Sequence, residues 1–419
     1  MAQLHKKFTD SQVKELMERY LRKEVKRTYL QEILGIKKRR FCTLVRRYRQ
    51  NPDKFSIQYK RKKNPRSLDQ KADNNILREL RFEQKLIKNK DIPLKSYNYS
   101  FIKQHLETRF KQKVFLPTII DRAKQHGFYL KRPKRKTHDR EVLTNYAGEL
   151  IQHGSSIHKW SPYAKGKWSL ITSPDDFSRF MLYAILLKRE TAWAHIMALQ
   201  AIFLKYGLPF SFYLDCHSIF RFVQGRDSLW RKHYKLTDEA DPQWKQVLKD
   251  CDVKVIYALS PQAKGKVERP YGWLQDHLVR ICARNNISDI TGAKRILAQE
   301  VYQYNYRRVH SATGEVPFFR FQRALKEKRS LFRPFVVTPP YQQIKDIFCL
   351  RLYRIVNSYR KISINNLVLT IPSAPIGAKV NLRIYPNEKT GVSEIRCWYN
   401  NKLINVQRAK NKDLNIVHF

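Results

Sequence analysis

Apolar side chains in the first part of the chain recur at helical spacing. This pattern predicts a helix over 10–23, with Thr9 as its N-cap. A second helix over 28–34 ends at Gly35, a residue suited to a helix C-terminus, and a third helical segment over 37–49 follows at once. Three short helices in this order indicate a helix-turn-helix arrangement.

The third helix separates an apolar face from a basic face. Phe41, Leu44, Val45 and Tyr48 share one side. The other side is dense in cations: Lys37, Lys38, Arg39, Arg40, Arg46 and Arg47. A recognition helix in a DNA major groove needs this division, whereas a basic helix that only faces solvent is the alternative. We therefore expect a first helix-turn-helix domain over 1–52.

Helical spacing returns at 69–86, 98–109 and 116–126, which predicts a second helix-turn-helix domain over 67–130. The segment after it, 131–146, is too basic and too interrupted by proline to belong to a core. Its cations are expected to follow the DNA backbone into the next domain: Lys131, Arg132, Lys134 and Arg135.

Short apolar runs replace the helical pattern from 147 onward. Strands are predicted at 148–152, 168–172, 181–186, 210–214 and 253–258, with one strong helix at 191–206. Three strands, a helix, a strand, a helical stretch, a strand and a helix are the order of a ribonuclease-H-like α/β fold. We expect this domain to extend over 147–330.

The last part of the chain is β-like. Strands are predicted at 348–355, 361–370, 379–385, 394–399 and 403–406, with turns at pairs of Asn and similar residues between them, including Asn365-Asn366. They predict a small all-β, barrel-like domain over 335–419. Two functions are open for it, contact with DNA or oligomerisation.

The amino-acid composition indicates which class of molecule the chain binds. The 419 residues hold 83 Lys plus Arg against 36 Asp plus Glu, a formal charge of +47 that calls for a polyanion such as nucleic acid. Residues 1–140 hold 40 basic and 14 acidic side chains, 141–330 hold 29 and 18, and 331–419 hold 14 and 4. Because no long apolar run or signal segment occurs, we expect a cytoplasmic protein without a membrane partner. The six cysteines form no Cys-x-x-Cys pair, so neither a zinc ribbon nor a disulfide framework is indicated, and nothing in the sequence resembles a small-molecule pocket.

Two acidic residues stand where the predicted α/β domain would place a ligand. Asp215 follows the fourth strand, at the strand end where open α/β sheets bind their ligands. Glu268 lies in Ser260–Arg269, among basic residues at the start of the last helix. Each has an alternative explanation, because Asp is common in turns and a charge-paired surface helix needs no catalytic role.

These segments resemble the integrase-type DDE transposases, most closely the insertion-sequence branch with N-terminal helix-turn-helix units. The motifs are Leu214–Phe220, Ser260–Arg269 with Gly272–Asp276, and Tyr304–Arg308 with Gly314–Pro317. The resemblance implies a multidomain protein with all-α helix-turn-helix units, an α/β integrase core and a small β domain. It implies that Asp215 and Glu268, 53 positions apart, are the second and third catalytic acids and bind Mg²⁺, with Mn²⁺ as a substitute. An insertion around 224–244 would account for that spacing.

The resemblance further implies that Lys264, Lys266 and Arg269 approach phosphates. It implies that the chain binds double-stranded DNA, both transposon inverted repeats and target DNA, and joins other copies of itself on that DNA. It also implies a prokaryotic, nucleoid-associated location. One position departs from the family. The first acid belongs to a Gln-x-Asp-x-Ser-like context, and here Gln152-His153-Gly154 places glycine in its position. Glycine supplies no ligand for the two Mg²⁺ ions that such chemistry uses.

Two nearby sources of a substitute ligand are weak. Asp175 and Asp176 lie in a turn-like segment, and His153 would point to the opposite face of its strand. Two functions are therefore open: a DNA transposase with impaired strand cleavage and transfer, and an inactive DNA-binding protein derived from one or repressing its relatives. An ordinary transcription regulator is a weaker third, because it has no need of Asp215 and Glu268.

Overall fold

The computed structural model describes residues 4–58, 68–131, 144–214, 243–257, 265–364 and 367–414. The chain forms two compact units, Met1–Asn74 and Asn75–Phe419. Within the described ranges, no helix is both long enough and apolar enough to cross a membrane.

The first unit packs three helices around an apolar core. They are α1 (Asp10–Leu21), α2 (Arg27–Leu34) and α3 (Lys38–Gln50). Thr9 caps α1 as predicted, since its side chain accepts a hydrogen bond from Gln12 N at 3.3 Å while the Gln12 side chain accepts one from Thr9 N at 2.9 Å. Gly35 ends α2 at φ 62°, in the left-handed region that glycine adopts without strain. The core includes Val13, Met17, Leu30, Leu34, Phe41 and Leu44.

The second unit begins within a long helix and continues through two shorter ones. They are α4 (Gln70–Lys88), α5 (Tyr99–Arg109) and α6 (Leu116–Gln125). The Asn98 side chain caps α5 by accepting a hydrogen bond from Phe101 N at 3.0 Å. Pro117 lies in the first turn of α6, and Gly127 follows that helix at φ 73°. The three helices match the predicted segments to within two residues.

An α/β domain follows. Its elements are β1 (Ile151–Gln152), β2 (Gly154–His158), β3 (Trp168–Pro174), β4 (Met181–Leu187), α7 (Ala192–Tyr206), β5 (Ser211–Leu214), α8 (Gln243–Asp250), β6 (Lys254–Tyr257), α9 (Gly265–Arg284), α10 (Ile290–Tyr306) and α11 (Pro317–Lys326). Strands β1, β5 and β6 are parallel neighbours, whereas β2, β3 and β4 form an antiparallel sheet. Phe212 belongs to the core with α7 and α8, and the next residue, Tyr213, belongs to the core with α9 and α10. Helices therefore cover both faces of β5.

Two strand predictions need correction. The run predicted as one strand over 148–152 is shorter, because Gly148 has φ 74° and the strand begins only at Ile151. Strand β2 was not predicted from the sequence, since 154–158 is largely polar and lacks a clear alternation. It exists because it pairs with β3 from Gly154↔Thr172 to His158↔Trp168.

The end of the chain is rich in β-structure. It contains α12 (Ile344–Ile347), β7 (Leu350–Ile355), β8 (Lys361–Ile364), β9 (Leu367–Thr370), β10 (Lys379–Asn387), β11 (Val392–Tyr399) and β12 (Lys402–Lys410). Strands β12, β11, β10 and β7 form one antiparallel sheet, and β8 pairs with β9. The run predicted as a strand over 361–370 is two paired strands, β8 and β9, on either side of the predicted turn at Asn365-Asn366, and those two residues lie outside the described structure.

Side chains join the β8–β9 pair to both edges of the four-stranded sheet. Arg354 on β7 donates a hydrogen bond from Nε to Ser363 O on β8 at 3.1 Å. On the other edge, Gln407 on β12 donates one to Thr370 O on β9 at 2.7 Å. Buried residues from all six strands belong to one apolar core, which they share with α7 and α8.

Candidate functional site

Gly154 lies where the chain passes from one sheet to the other. Before it, Gln152 on β1 pairs in parallel with Tyr213 on β5, and His153 N donates a hydrogen bond to Tyr213 O at 3.0 Å. At Gly154 itself the partner becomes Thr172 on the antiparallel strand β3. The position is buried. The residue that departs from the family pattern is thus held by two sheets and not by a loose turn.

The two remaining candidate acids are only partly within the described structure. Asp215 follows Leu214, the last residue of β5, and lies outside the described residues. The backbone of Glu268 belongs to α9, and its side chain is not described. The last pair between β1 and β5 is Gln152↔Tyr213. Positions 154 and 215 each lie two residues farther along their own segment.

Contacts on either side of Gly154 connect its strands to the first half of α9. Gln275 on α9 donates a hydrogen bond from Nε2 to Ser156 Oγ on β2 at 3.1 Å. On the other side, Gln152 and Pro270 border one small cavity of about 30 Å³. Residues 152, 154 and 156 alternate onto one face of an extended chain. Gly154 therefore faces α9, the helix whose backbone includes Glu268.

Asp175 holds a turn, as its sequence setting indicated. It is fully buried, and its carboxylate accepts hydrogen bonds from Gly148 N at 2.9 Å, Ser178 N at 2.9 Å and Ser178 Oγ at 2.5 Å. Burial is the main reason that the pKa of Asp175 rises to about 6, against the lowering effect of these donors. Its oxygens are already used within the turn, so it is a poor substitute for the missing acid.

Asp176 is also committed to protein partners. Arg179 donates to its Oδ1 at 2.6 Å, Thr144 donates to its Oδ2 at 3.0 Å, and the Gln152 side chain donates a further short hydrogen bond to Oδ1. Its backbone N–H donates to Leu150 O at 2.9 Å. These contacts tie the β3–β4 turn to β1, and they leave Asp176 in a structural role.

His153 points away from α9, as strand alternation predicts. Its Nδ1 lies 2.7 Å from Ser173 Oγ, and its Nε2 lies 2.8 Å from His195 Nδ1 on α7. His195 Nε2 in turn lies 2.9 Å from Glu190 Oε1. Burial and the His195 ring hold the pKa of His153 well below its ordinary value. This hydrogen-bonded chain orders the α7 side of the sheet and supplies no ligand on the Gly154 side.

Trp244 completes the environment of His153. It is fully buried at the start of α8, with its ring stacked on the His153 ring at a centroid distance of 5.5 Å and an interplanar angle of 20°. Trp244 ends the insertion that the sequence predicted around 224–244; residues 224–242 lie outside the described structure.

A site for two Mg²⁺ ions needs several carboxylate ligands close together. Among the described residues, no group of three His, Cys, Asp or Glu side chains could hold a metal ion. Gly154 has no donor, and Asp175 and Asp176 are occupied as described above. Of the candidate ligands identified from the sequence, Asp215 and Glu268 remain, and their side chains lie outside the part of the chain that the structure describes.

The basic candidates divide between described and undescribed positions. On α3 the predicted cations are all exposed, opposite the buried Phe41, Leu44 and Tyr48: Lys37, Lys38, Arg39, Arg40, Arg46 and Arg47. In the linker, Lys131 is exposed, while Arg132, Lys134 and Arg135 lie outside the described residues. Lys264 also lies outside them, and the side chains of Lys266 and Arg269 are not described.

Sequence reasoning missed a buried ion cluster that fastens α4 to α9. Arg284 on α9 donates to Glu79 Oε2 at 2.6 Å and to Glu83 Oε1 at 2.8 Å. Arg280, one turn earlier, pairs closely with Glu83 and also with Asp276 at 2.9 Å. Apolar neighbours from both helices adjoin the cluster. The available signal was charge at i,i+4 on helix faces that are otherwise apolar.

Comparison with known proteins supports the resemblance seen in the motifs. The chain is 28% identical over 235 residues to y4bF of Sinorhizobium fredii, named as a transposase, and 28% identical over 190 residues to the transposase for insertion sequence IS1202 of Streptococcus pneumoniae. These matches span 55% and 45% of this chain but only 46% and 37% of the relatives. No family model matches the chain.

Two solved structures are also similar. The intasome of simian T-cell lymphotropic virus in complex with a PP2A regulatory subunit shares 13% identity over 75% of this chain and 92% of its own, with a TM-score of 0.34. The HTLV-2 integrase catalytic core domain in complex with magnesium shares 18% identity over 43% of this chain and 99% of its own, with a TM-score of 0.31. The chain is similar to transposases of insertion sequences, as its motifs indicated.

Proposed function

We propose that this chain, a relative of the insertion-sequence transposases, binds the ends of an insertion sequence, and that its DNA cleavage and strand transfer are impaired at Gly154. The observation that carries the proposal is the placement of this glycine. It is buried just after β1 and faces α9. Gly154 and Asp215 each come two residues after the last pair between β1 and β5, which is Gln152↔Tyr213. A carboxylate at this position would complete the set of three acids that the resemblance implies, and glycine provides none.

The DNA-binding part of the proposal rests on exposed charge. The cations of α3 are exposed on the side of the helix opposite its buried residues, as a recognition helix requires. We assign helix-turn-helix roles to 1–52 and 67–130, and a backbone-following role to the linker 131–146. The strands of 335–419 would form a small barrel that contacts DNA or joins copies of the chain on it.

The catalytic part concerns the residues that would meet the scissile phosphate. Asp215 and Glu268 would supply the carboxylates that remain for Mg²⁺ or Mn²⁺, whose role in this chemistry is to activate the attacking oxygen and stabilise the leaving one. Lys264, Lys266 and Arg269 would approach the phosphates. The protein would act on inverted repeats and target DNA in the cytoplasm, at the nucleoid, as a homo-oligomer.

A second candidate function follows from the same glycine. If the missing carboxylate abolishes chemistry altogether, an intact basic surface still leaves a DNA-binding protein that occupies insertion-sequence ends. Such a protein would compete with active relatives for those ends and repress them.

The test compares the wild-type chain with Gly154→Asp and with Gly154→Asn, which adds nearly the same volume without the charge. Each protein is given Mg²⁺ and duplex DNA carrying the inverted repeats that flank its gene. We expect Gly154→Asp to raise Mg²⁺-dependent strand cleavage by more than about 100-fold, because even outer-shell partners of metal ligands contribute about 10- to 100-fold. Gly154→Asn should stay at the wild-type rate, and all three should bind DNA equally.

Two outcomes would decide against the impaired transposase. If the wild-type chain joins strands at a rate that Gly154→Asp does not raise, the glycine is no impairment. If all three proteins bind the repeats and none cleaves them, the inactive DNA-binding protein is the better description.

A further inference from the structure

A wide groove runs between the α4–α5 pair and the α9–α10 pair of the second unit. Its volume is about 1050 Å³. Arg78, Arg81 and Lys85 border it from α4, and Arg109 borders it from the end of α5. These four cations are exposed. Its lining residues include none from α3 or from the Gly154 strands. Helices α4 and α5 belong to 67–130, which the proposed function assigns to a second helix-turn-helix, but that assignment does not say which of their surfaces contacts DNA.

The cations of α4 share one side of the helix and have no acidic partner. Arg78, Arg81 and Lys85 follow at spacings of three and four residues, which places them in a row over about 10 Å. In the described part of the chain, no carboxylate forms an ion pair with any of the three. A row of unpaired like charges repels itself and is stabilised by an external anion.

The two carboxylates of the groove are already occupied. Glu79 accepts hydrogen bonds from Arg284 at 2.6 Å and lies 3.1 Å from His105 Nδ1. Glu300 lies 3.0 Å from His277 Nδ1. Both are buried and do not offset the exposed cations. The open surface of the groove is therefore strongly positive.

The rest of the lining is suited to phosphates and sugars. Arg284 forms part of the floor, with its guanidinium 4.6 Å from the ring centre of Phe82 and 5.3 Å from that of Phe101. Carboxamides from α5, from α10 and from the turn that follows α9 complete the walls: Gln104, Gln299, Gln303 and Asn285. Amides and guanidinium groups are the usual donors to the nucleic-acid backbone.

We propose that this groove binds the sugar-phosphate backbone of double-stranded DNA, as a contact additional to the recognition helix α3. The row from Arg78 to Lys85 covers about 10 Å, a length of duplex axis over which one strand carries about three phosphates, since one strand has a charge about every 3.4 Å of axis. An acidic polypeptide would be the other polyanion of this charge. The regular row of cations favours DNA, because its phosphates repeat at fixed intervals whereas acidic side chains do not.

The inference rests on the proposed function, since it adds a contact to DNA that the chain already holds. The test variant carries Arg78→Gln, Arg81→Gln and Lys85→Gln in the full chain, because glutamine keeps the helix and removes only charge. The measurement is the slope of log binding constant against log salt concentration, on a duplex with the inverted repeats and on a random duplex. Each lost phosphate contact lowers that slope by about 0.9, so the triple variant should lower it by about 2 to 3 on both duplexes.

The matched control removes the same charge outside the groove. The chosen residues are exposed and do not border the groove: Lys88 at the end of α4, and Lys90 and Lys95 in the segment that follows it. Their triple change to glutamine should lower the slope by less than about 1. Equal slopes for the two triple variants, or a groove variant with the wild-type slope, would overturn the inference. So would competition for the groove by polyglutamate that leaves DNA binding unchanged.

A further variant separates this inference from the function on which it rests. Arg46→Ala with Arg47→Ala on α3 should remove the preference for inverted repeats over random DNA, whereas the groove variant should keep that preference. If the wild-type chain binds no DNA, the proposed function fails. If it binds and the α3 variant loses the preference while the groove variant keeps the wild-type slope, only the groove inference fails.

Discussion

Replacing Glu83 with alanine removes the centre of the ion cluster between α4 and α9. The Glu83 side chain is fully buried between Arg280 and Arg284. After the change Arg284 still pairs with Glu79 at 2.6 Å, and Arg280 still pairs with Asp276 at 2.9 Å. The two guanidiniums then share two carboxylates where they had three, although the Arg280 and Arg284 side chains are only 0% and 8% exposed.

The cost follows from that loss. Breaking a buried ion pair by removing one partner costs about 3 to 5 kcal/mol, because a charge is left without compensation. Each arginine here keeps one carboxylate, so we expect the lower end, about 3 kcal/mol. At about 1.4 kcal/mol per factor of ten, this raises the population in which α4 has separated from α9 by about 100- to 200-fold.

Amide hydrogen exchange of α4 measures this opening directly in the full chain. A single unfolding midpoint would not, since the chain has two compact units. The control is Glu107→Ala, whose partner Lys103 lies 3.7 Å away with both side chains 40% exposed, and which should cost less than about 1 kcal/mol. If the α4 amides exchange no faster in Glu83→Ala than in Glu107→Ala, the cluster does not hold α4 in place.

Two further predictions concern a pH dependence and a helix cap. Burial alone would raise the pKa of Glu79, but His105 and Arg284 lower it from 4.5 to about 2; its contribution should be complete above pH 4.5 and lost as the pH falls toward 2. Glu79→Gln should therefore flatten the pH dependence of α4 exchange in that window, and an unchanged profile would contradict this. Thr9→Ala should cost α1 about 1 kcal/mol, seen as about fivefold faster exchange of its amides, whereas Thr9→Ser should restore protection.

Local pattern was sufficient for the helices of the first unit. The apolar spacing, the Thr9 cap and the Gly35 stop all lie within one or two turns of the residues that they order. The same applies to the turn at Asp175, because its partner Ser178 is only three positions away. Its other partner, Gly148, is more distant in sequence. Where the physical cause is near in sequence, the elements and their ends could be predicted to within a few residues.

The candidate site could be only partly foreseen. The motif predicts that Gly154 stands where the resemblance expects an acid, and strand alternation correctly placed His153 on the other face. The sequence did not show that Gly154 begins a strand, because residues 155–158 are largely polar and have no strand pattern of their own. That strand exists through its pairing with β3, which supplies the backbone hydrogen bonds and brings Gly154 opposite α9.

Residue order and chemistry predicted a strongly basic, multidomain protein similar to the transposases, with a glycine where that resemblance expects an acid. They did not show that Glu79 and Glu83 would be buried against Arg284, more than 200 residues later, or that a basic groove would border the same helix. The physical reason is distance along the chain. Helix spacing, caps and turns depend on near neighbours, whereas strand partners and buried ion pairs exist only once remote segments pack together and exclude water.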